Sequence, residues 1–256
     1  MVYNRRPMKD PRTVAREIPG IFDIIFPQLT SGVVSYFNAQ VIAFPDLDAL
    51  PIELVQSSSL QPAMLFEIAF ARGEQILNGI SKANWDDCLS VATGRQRHHF
   101  DAQLPDKLLP ADTKASEWVA SNLVAILHSF QTEAPNYKLI HSPEIAGYQW
   151  ISSGHGDFSI GSTLIEVKCT GRNFRSADYR QVLMYWLLSY ASAIEHDTNE
   201  WINITLVNPR RNCVVVLPFD EIIEITAAGK SKVEILELFS SMMGDLALKS
   251  LPEFRL

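Results

Sequence analysis

Two acidic residues and one lysine lie on either side of a turn sequence and are the residues of this chain best placed for catalysis. Asp157 precedes Gly161-Ser162, and Glu166 and Lys168 follow it. A two-residue loop that begins with Gly is typical of a tight hairpin, and it sets a register in which Asp157 lies opposite Glu166. Opposed side chains share one face of a sheet, with Cβ atoms about 4.5 to 5.5 Å apart. Because Lys168 lies on the same face, the sequence predicts two carboxylates and an ammonium group at one point.

A bound cation is the expected partner of Asp157 and Glu166, because opposed like charges destabilise a sheet. Mg²⁺ (or Mn²⁺) suits this arrangement, since it takes hard oxygen ligands and keeps positions for water and a substrate phosphate. Such an ion polarises a phosphoryl oxygen and activates water, and Lys168 adds a positive charge where charge develops during hydrolysis. On the hairpin alone, a turn-capping Asp157 beside a solvated strand face is an equally good interpretation.

The hairpin belongs to a series of periodic elements that begins near residue 112. Its four apolar residues alternate with the polar ones and are predicted to pack into the core: Phe158, Ile160, Ile165 and Val167. The predicted elements are a helix over 112–131, a strand region over 138–151, hairpin strands over 156–160 and 163–170, a buried helix over 179–194 with Ser176 as its N-cap, strands over 201–207 and 213–217, and a helix over 232–243. This order predicts an α/β fold in which helices flank a central mixed β-sheet.

The chain is predicted to have two parts, because its pattern changes character near residue 112. Residues 1–110 mix short apolar stretches with proline-marked turns and a helix-like stretch over 62–77. They are interpreted as an N-terminal accessory or interaction region, and the pattern assigns them no fold. Residues 111–256 form the second domain, which contains the hairpin.

Three motifs together resemble those of RecB-like nucleases in the PD-(D/E)XK superfamily. They are G-x-G-D at 154–157, E-V-K at 166–168 and Q-x-x-x-Y at 181–185, and the matching region covers residues 112–217, about two fifths of the chain. The resemblance implies a restriction-endonuclease-like core of helix, three strands, helix and strand, and Mg²⁺-dependent hydrolysis of phosphodiester bonds. Two departures are Gly156 in place of the usual proline, and the absence of the four cluster-binding cysteines of some relatives.

The resemblance also assigns roles to individual residues. Asp157 and Glu166 would be metal ligands and Lys168 catalytic. Gln181 and Tyr185 lie four apart on one face of the buried helix, where they would position substrate or the catalytic residues. A glutamine on an otherwise apolar helix also calls for a buried polar partner.

Further candidates surround this set. An acidic residue on the first helix often completes the metal environment in the family, and Glu117 occupies that place; Glu144 on the first strand is a second candidate, and surface or capping roles are the alternative for both. Arg172 and Arg175, just before the buried helix, are predicted to bind substrate. His155 is predicted to point to the opposite face from Asp157.

The net charge of −7 argues against a protein that coats nucleic acid over its whole surface, since that binding is driven by Lys and Arg displacing counterions. Contact with DNA is therefore predicted to be local or assisted by a protein partner such as a helicase or ATPase subunit. Anti-phage defence is a setting that only the resemblance suggests. Basic clusters occur, each on its own typical of a solvated surface: Arg5, Arg6, Lys9, Arg12 and Arg16; Arg95 and Arg97 with His98 and His99; Arg172, Arg175 and Arg180; Arg210 and Arg211.

A cytoplasmic location without a membrane partner is predicted. No apolar run approaches the roughly 18 to 20 residues of a membrane span, and the polar, basic start is unlike a signal peptide. The three cysteines, Cys88, Cys169 and Cys213, are widely spaced and predict core residues rather than disulfides or metal ligands.

Three functions are compatible with these patterns. The first is a DNA-cutting nuclease that works as a subunit of a larger system. The alternative is a catalytically silent scaffold that keeps the nuclease fold to bind a protein or nucleic acid, and the third is a metal-dependent phosphatase or other small-phosphoester hydrolase. Signatures of a Ser or Cys nucleophile, a Gly-rich phosphate loop and H-E-x-x-H are missing, so ATP use is not expected.

Overall fold

A computed structural model describes residues 9–17, 20–97 and 103–249. Arg5, Arg6, His98 and His99 of the basic clusters lie outside the described residues. The helices are α1 (Pro11–Glu17), α2 (Ile21–Ile25), α3 (Ser31–Asn38), α4 (Ile52–Ser57), α5 (Pro62–Leu77), α6 (Trp85–Gln96), α7 (Pro110–Glu133), α8 (Ser176–His196), α9 (Phe219–Thr226) and α10 (Lys232–Lys249). The strands are β1 (Leu139–His141), β2 (Glu144–Ile145), β3 (Gly154–His155), β4 (Phe158–Ile160), β5 (Thr163–Val167), β6 (Asn203–Asn208) and β7 (Cys213–Pro218).

Five strands form one central sheet in the order β1-β4-β5-β6-β7. The β5–β6 pair is parallel and the other three pairs are antiparallel, so the sheet is mixed. Helix α8 connects the two parallel strands, which need a long crossover rather than a tight turn. The predicted α/β class, a mixed sheet flanked by helices, is confirmed.

The two faces of the sheet are buried under different helices. On one face, Phe158, Ile165 and Val167 pack with Leu123 and Leu127 of α7. On the other face, Leu164, Ile204 and Leu206 join the large core around α8. Because side chains alternate along β4 and β5, Phe158, Ile165 and Val167 face α7. Asp157, Glu166 and Lys168 lie on the α8 side of the sheet.

The hairpin has the predicted register. Ile160 pairs with Thr163 and Phe158 pairs with Ile165, which continues to Asp157 opposite Glu166. Gly161 has a φ of +56°, a conformation that glycine adopts without steric cost. The local turn chemistry thus determines which side chains face each other.

Two predictions need correction, and one helix was not predicted. The strand region over 138–151 is divided into β1 and β2, because Ser142 has a positive φ of 49° and Pro143, which follows it, has no N–H to donate. Helix α8 begins at Ser176, three residues before the predicted start at 179, and its N-cap is Arg175 rather than Ser176; the Asp178 carboxylate accepts a hydrogen bond from the Arg175 N–H at 2.8 Å. Helix α9 was not predicted.

The N-terminal region packs directly against the elements that carry the motifs. Phe70 of α5 lies 5.3 Å, ring centre to ring centre, from Phe158, and Phe37 of α3 lies 5.2 Å from Tyr179 of α8. Val14 of α1 is fully buried in the core that surrounds α8. Packing is therefore continuous across the boundary predicted near residue 110.

Two further findings concern membranes and thiols. None of the described helices is long and apolar enough to cross a membrane. All three cysteines are free; Cys88 and Cys169 are buried as predicted, and Cys213 is half-buried. Burial raises the pKa of Cys88 to about 11 and of Cys169 to about 12, so both thiols are held in the neutral, unreactive form.

Candidate active site

The hairpin brings the three predicted polar side chains together. Lys168 Nζ donates to Glu166 Oε1 at 2.8 Å, and both side chains are largely buried. Asp157 Oδ2 accepts a hydrogen bond from the Val167 N–H at 2.7 Å, which ties its carboxylate to the strand that carries Glu166. Two carboxylates and one ammonium group therefore share one site, as the register predicts.

Gln181 connects this trio to α8. Its Nε2 donates to Glu166 Oε1 at 2.5 Å and to Tyr185 Oη at 3.0 Å, and its Oε1 accepts from Lys168 Nζ at 3.0 Å. Only one orientation of the amide satisfies a carboxylate on one side and an ammonium group on the other. The buried polar partner expected for a glutamine on an apolar helix is therefore the Glu166–Lys168 pair.

One carboxylate oxygen in the site has no partner. Glu166 is 4% exposed, and its Oε2 is buried without a hydrogen bond from any described residue, although its Oε1 accepts from both Lys168 and Gln181. A buried, unpaired carboxylate oxygen costs free energy unless a cation or a donor meets it. This oxygen, beside Asp157, fits a hard divalent cation.

The protonation of Asp157 supports the same conclusion. Burial and the like charge of Glu166 raise the pKa of Asp157 to about 7, against the opposing effects of Lys168 and of the Val167 N–H. A carboxylate pushed toward its neutral form by these causes regains its charge when a cation binds. Within the described residues, no group of three or more His, Cys, Asp or Glu side chains is arranged around a common metal position. The candidate donor set is therefore two carboxylates, the number that Mg²⁺ typically uses alongside water.

Glu117, the predicted third acid, is held elsewhere. Its carboxylate accepts from the Arg72 guanidinium at 2.8 and 3.2 Å, in the layer of α5 and α7 rather than on the α8 face of the sheet. Arg72 is buried, so this ion pair neutralises an internal positive charge. The structure does not bring Glu117 together with Asp157 and Glu166.

The histidine and the second acidic candidate lie at the edge of the site. Glu144 pairs with His155 between β2 and β3, and both residues are exposed. His155 lines the same cleft as Asp157, which corrects the prediction that it points to the opposite face. The reason is that residues two apart, not adjacent, share a face of extended chain.

The two predicted substrate-binding arginines lie in the loop before α8. Arg172 Nη1 is 3.5 Å from Asp178 Oδ2, and the Arg175 side chain is exposed at the N-cap. Arg211 Nη1 donates to Asn173 Oδ1, so the loop before β7 lies against the loop before α8. Since the chain runs from Glu166 at the end of β5 through Lys168 into this loop, the arginines lie just beyond the site.

Two site residues come from helix α1 and were not assigned to the site by sequence. Arg16 Nη2 donates to Gln181 Oε1 at 3.0 Å. The Arg12 side chain lines the cleft that reaches Asp157, and its charge acts to lower the pKa of that residue. The basic cluster at the start of the chain was the only available signal, and it does not distinguish a site residue from a solvated one.

A cleft of about 350 Å³ opens onto Asp157. Its lining comes from α1 with Arg12, from α5 and α6 with Phe66 and Arg95, and from Ser142 and the 155–157 segment. Its size is within the roughly 300 to 1,000 Å³ typical of ligand sites. No family model, curated protein or solved structure matches this chain.

Proposed function

We propose that this protein is a metal-dependent nuclease of the PD-(D/E)XK type that hydrolyses phosphodiester bonds in DNA. The observation that carries the proposal is the buried Oε2 of Glu166, which has no hydrogen-bond partner among the described residues. Asp157 lies opposite Glu166 in the hairpin, and Lys168 donates to the other oxygen of the same carboxylate. The mixed sheet with α7 on one face and α8 on the other supports a restriction-endonuclease-like core.

Asp157 and Glu166 would hold Mg²⁺ or Mn²⁺. When bound, the ion would supply Lewis-acid polarisation of a phosphoryl oxygen and a more acidic water. Gln181 helps to orient the Glu166 carboxylate for metal binding. Gln181 Nε2 and Lys168 Nζ both donate to Glu166 Oε1, so Oε2 remains available to a cation. The two carboxylates are thus pre-oriented by contacts that do not involve the metal.

Lys168 is the residue placed to stabilise charge on the reacting phosphate. Its Nζ is held between Glu166 Oε1 and Gln181 Oε1, at 2.8 and 3.0 Å, so its ammonium group has a fixed position. A preorganised positive charge beside a phosphate undergoing attack lowers the barrier without a reorganisation cost. Lys168 needs no proton transfer for this role.

DNA is proposed as the substrate because arginines lie beyond the hairpin. Arg172 and Arg175 lie in the loop that follows β5 and Lys168, where a polynucleotide backbone leaving the site would pass. Because the chain carries a net charge of −7, these local contacts would be weak on their own, which favours assistance by a partner such as a helicase or ATPase subunit.

The test is cleavage of linear, circular and single-stranded DNA and of RNA in Mg²⁺ or Mn²⁺, together with calorimetric Mn²⁺ binding. We expect Asp157→Ala and Lys168→Ala each to lower DNA cleavage at least about 100-fold. Asp157→Ala should also abolish Mn²⁺ binding, whereas Lys168→Ala should retain it. Two exposed residues of the same charges serve as controls, and Glu133→Ala and Lys138→Ala should match wild type.

Three results would contradict the proposal. Mn²⁺ binding that survives Asp157→Ala, or is absent from wild type, favours the scaffold. Hydrolysis of a nucleotide monoester with no cleavage of any polynucleotide favours a small-phosphoester hydrolase. Loss of Mn²⁺ binding in Glu117→Gln would show that the acid paired with Arg72 is a ligand; we expect this variant to bind Mn²⁺ normally and to unfold at a lower temperature.

A further inference from the structure

The N-terminal helix α1 reaches the hairpin site from outside the motif region. It packs against α8 through Val14 and Ala15, which are 0% and 3% exposed. With this face buried, Arg12 and Arg16 lie on the exposed side of the helix, and Arg16 donates to Gln181 Oε1. The position of α1 is therefore fixed relative to Glu166 and Lys168.

Arg12 differs from the other described arginine of the cleft, Arg95. The Arg95 guanidinium is bound by both oxygens of Glu74, at 2.9 and 3.0 Å, with Glu67 at 3.6 Å. The charge of Arg95 is neutralised by these carboxylates, so Arg95 is a structural residue of the cleft lining.

Among the described residues, the Arg12 guanidinium forms one ion pair, and it is a long one. Its Nε lies 3.8 Å from Asp10 Oδ1, which also accepts the backbone N–H groups of Arg12 and Thr13. The Arg12 side chain is 54% exposed, toward the cleft that Asp157 lines. A planar, exposed guanidinium that donates no hydrogen bond to any described residue suits two-point binding of a phosphate.

The Arg12 guanidinium also interacts electrostatically with Asp157 and Glu166. Burial acts to lower the pKa of Arg12, but Tyr185, Asp10, Glu166 and Asp157 outweigh it and raise the pKa. Arg12 therefore stays charged, and it lines the same cleft as Asp157, one of the two proposed metal ligands. A substrate phosphate in this cleft would meet both the cation held by the carboxylates and the Arg12 guanidinium.

We infer that Arg12 binds the substrate phosphate in the cleft that Asp157 lines, and that α1 is thus part of the nuclease site. The inference rests on the proposed function and assigns to it a residue 145 positions before Asp157 in the chain. Arg16 acts as a positioning residue, since its contact is with Gln181 rather than with the cleft.

The test measures binding of fluorescently labelled single- and double-stranded DNA oligonucleotides as a function of salt, with Ca²⁺ in place of Mg²⁺ to slow cleavage. We expect Arg12→Ala to weaken binding about 10-fold and to reduce the slope of log affinity against log salt by about 0.7 for single strands and about 0.9 for duplex, the loss of one phosphate contact. Arg12→Lys should keep the slope and recover part of the affinity, because a lysine contacts phosphate as a point charge. Arg97→Ala removes the same charge from an exposed position that does not line the cleft and should match wild type.

Calorimetric Mn²⁺ binding separates the possible failures. Arg12→Ala should bind Mn²⁺ at least as tightly as wild type, because a cation near the ligands has been removed. If Arg12→Ala keeps the wild-type salt slope and affinity while wild type binds both Mn²⁺ and DNA, the inference is wrong and the nuclease proposal stands. If Arg12→Ala loses Mn²⁺ binding, Arg12 is a structural residue and the inference is equally wrong. If wild type binds neither probe, both proposals fail.

Discussion

At the scale of single residues, the site is organised around the amide of Gln181. It donates to a carboxylate and a phenol and accepts from an ammonium and a guanidinium, so all its hydrogen-bonding capacity is used by Glu166, Tyr185, Lys168 and Arg16. Such a network has a single satisfied arrangement, and each member limits the positions of the others. Changes of charge at its centre should therefore affect both stability and activity.

Replacing Gln181 by Glu tests this arrangement with almost no change of shape. The new carboxylate loses the donor to Glu166 Oε1 and adds a negative charge beside it. We expect DNA cleavage to fall about 10- to 100-fold and the melting temperature of the metal-free protein to fall by several degrees. Gln103→Glu, at an exposed position, is the control. Unchanged cleavage in Gln181→Glu would mean that the Gln181 amide is not needed to orient the Glu166 carboxylate.

The pH dependence of stability tests the two facing acids. Burial and Glu166 raise the pKa of Asp157 from 3.8 to about 7 in the metal-free fold. Because the folded-state pKa is raised, the associated stability is fully present below about pH 4 and is lost as the pH rises through about 7. The melting temperature of Asp157→Asn in a chelator should therefore exceed that of wild type by roughly 2 to 8 °C at about pH 8, with a smaller difference at about pH 5.

Asp106→Asn, which changes an exposed carboxyl, should show no such trend. A difference between Asp157→Asn and wild type that does not vary with pH would show that Asp157 is ionised in the metal-free protein at all these pH values. Thermal unfolding followed by circular dichroism is sufficient for the comparison.

Among the secondary-structure elements, the β4–β5 hairpin brings the candidate site residues together, because its turn sets their register. Its register places Asp157 opposite Glu166, and its alternation separates the polar face from the residues that pack on α7. Gly161 makes the turn possible, and a Cβ at this position would also lie 3.1 Å from the ring of Tyr137. The glycine is thus required by backbone conformation and by space.

Gly161→Ala should destabilise the protein by about 1 to 2 kcal/mol, the cost of the left-handed conformation for a residue with a Cβ. Because the site is built on this hairpin, Mn²⁺ binding should weaken as well. Ser162→Ala alters the neighbouring exposed turn residue and should leave both properties unchanged. Denaturant unfolding and calorimetry report the two effects, and a wild-type stability for Gly161→Ala would contradict the role given to the turn.

At the scale of the whole molecule, the N-terminal region and the motif-bearing region share their cores. Phe70 packs on Phe158, Phe37 on Tyr179, and Ile42 forms a bridge with Val214 at the edge of the sheet. Removing residues 1–110 would expose these apolar contacts on both faces of the sheet. It would also remove Arg12 and Arg16 from the site.

A fragment comprising residues 111–256 should therefore fail to fold cooperatively. We expect it to bind a hydrophobic dye, to show no sharp thermal transition and to cleave no DNA, because buried apolar surface stabilises by roughly 25 cal/mol per Å² and much of it would be in water. The full chain is the reference in each measurement. A fragment that melts sharply within a few degrees of the full chain would instead support an independent domain beginning near residue 111.

Much of the hairpin and its surrounding elements could be predicted from sequence, because their determinants are local. A Gly-Ser turn sets the register of Asp157 and Glu166, period-two alternation assigns faces, and helical periodicity locates α5, α7 and α8 to within a few residues. The split of the predicted strand at Ser142 and the extra helix α9 depend on backbone conformations that composition indicates only weakly.

Tertiary packing sets which distant residues contact this hairpin. Arg16 and Gln181 are 165 positions apart, and Glu117 was a candidate for the same site but lies in an ion pair with Arg72. Neither contact can be predicted from hydrophobic periodicity, because both depend on how whole helices pack against each other. The grouping of the two carboxylates and the lysine follows from local sequence, since one turn sets their spacing. Packing determined the partners, since buried charges and amides must be satisfied by whatever the fold brings near them.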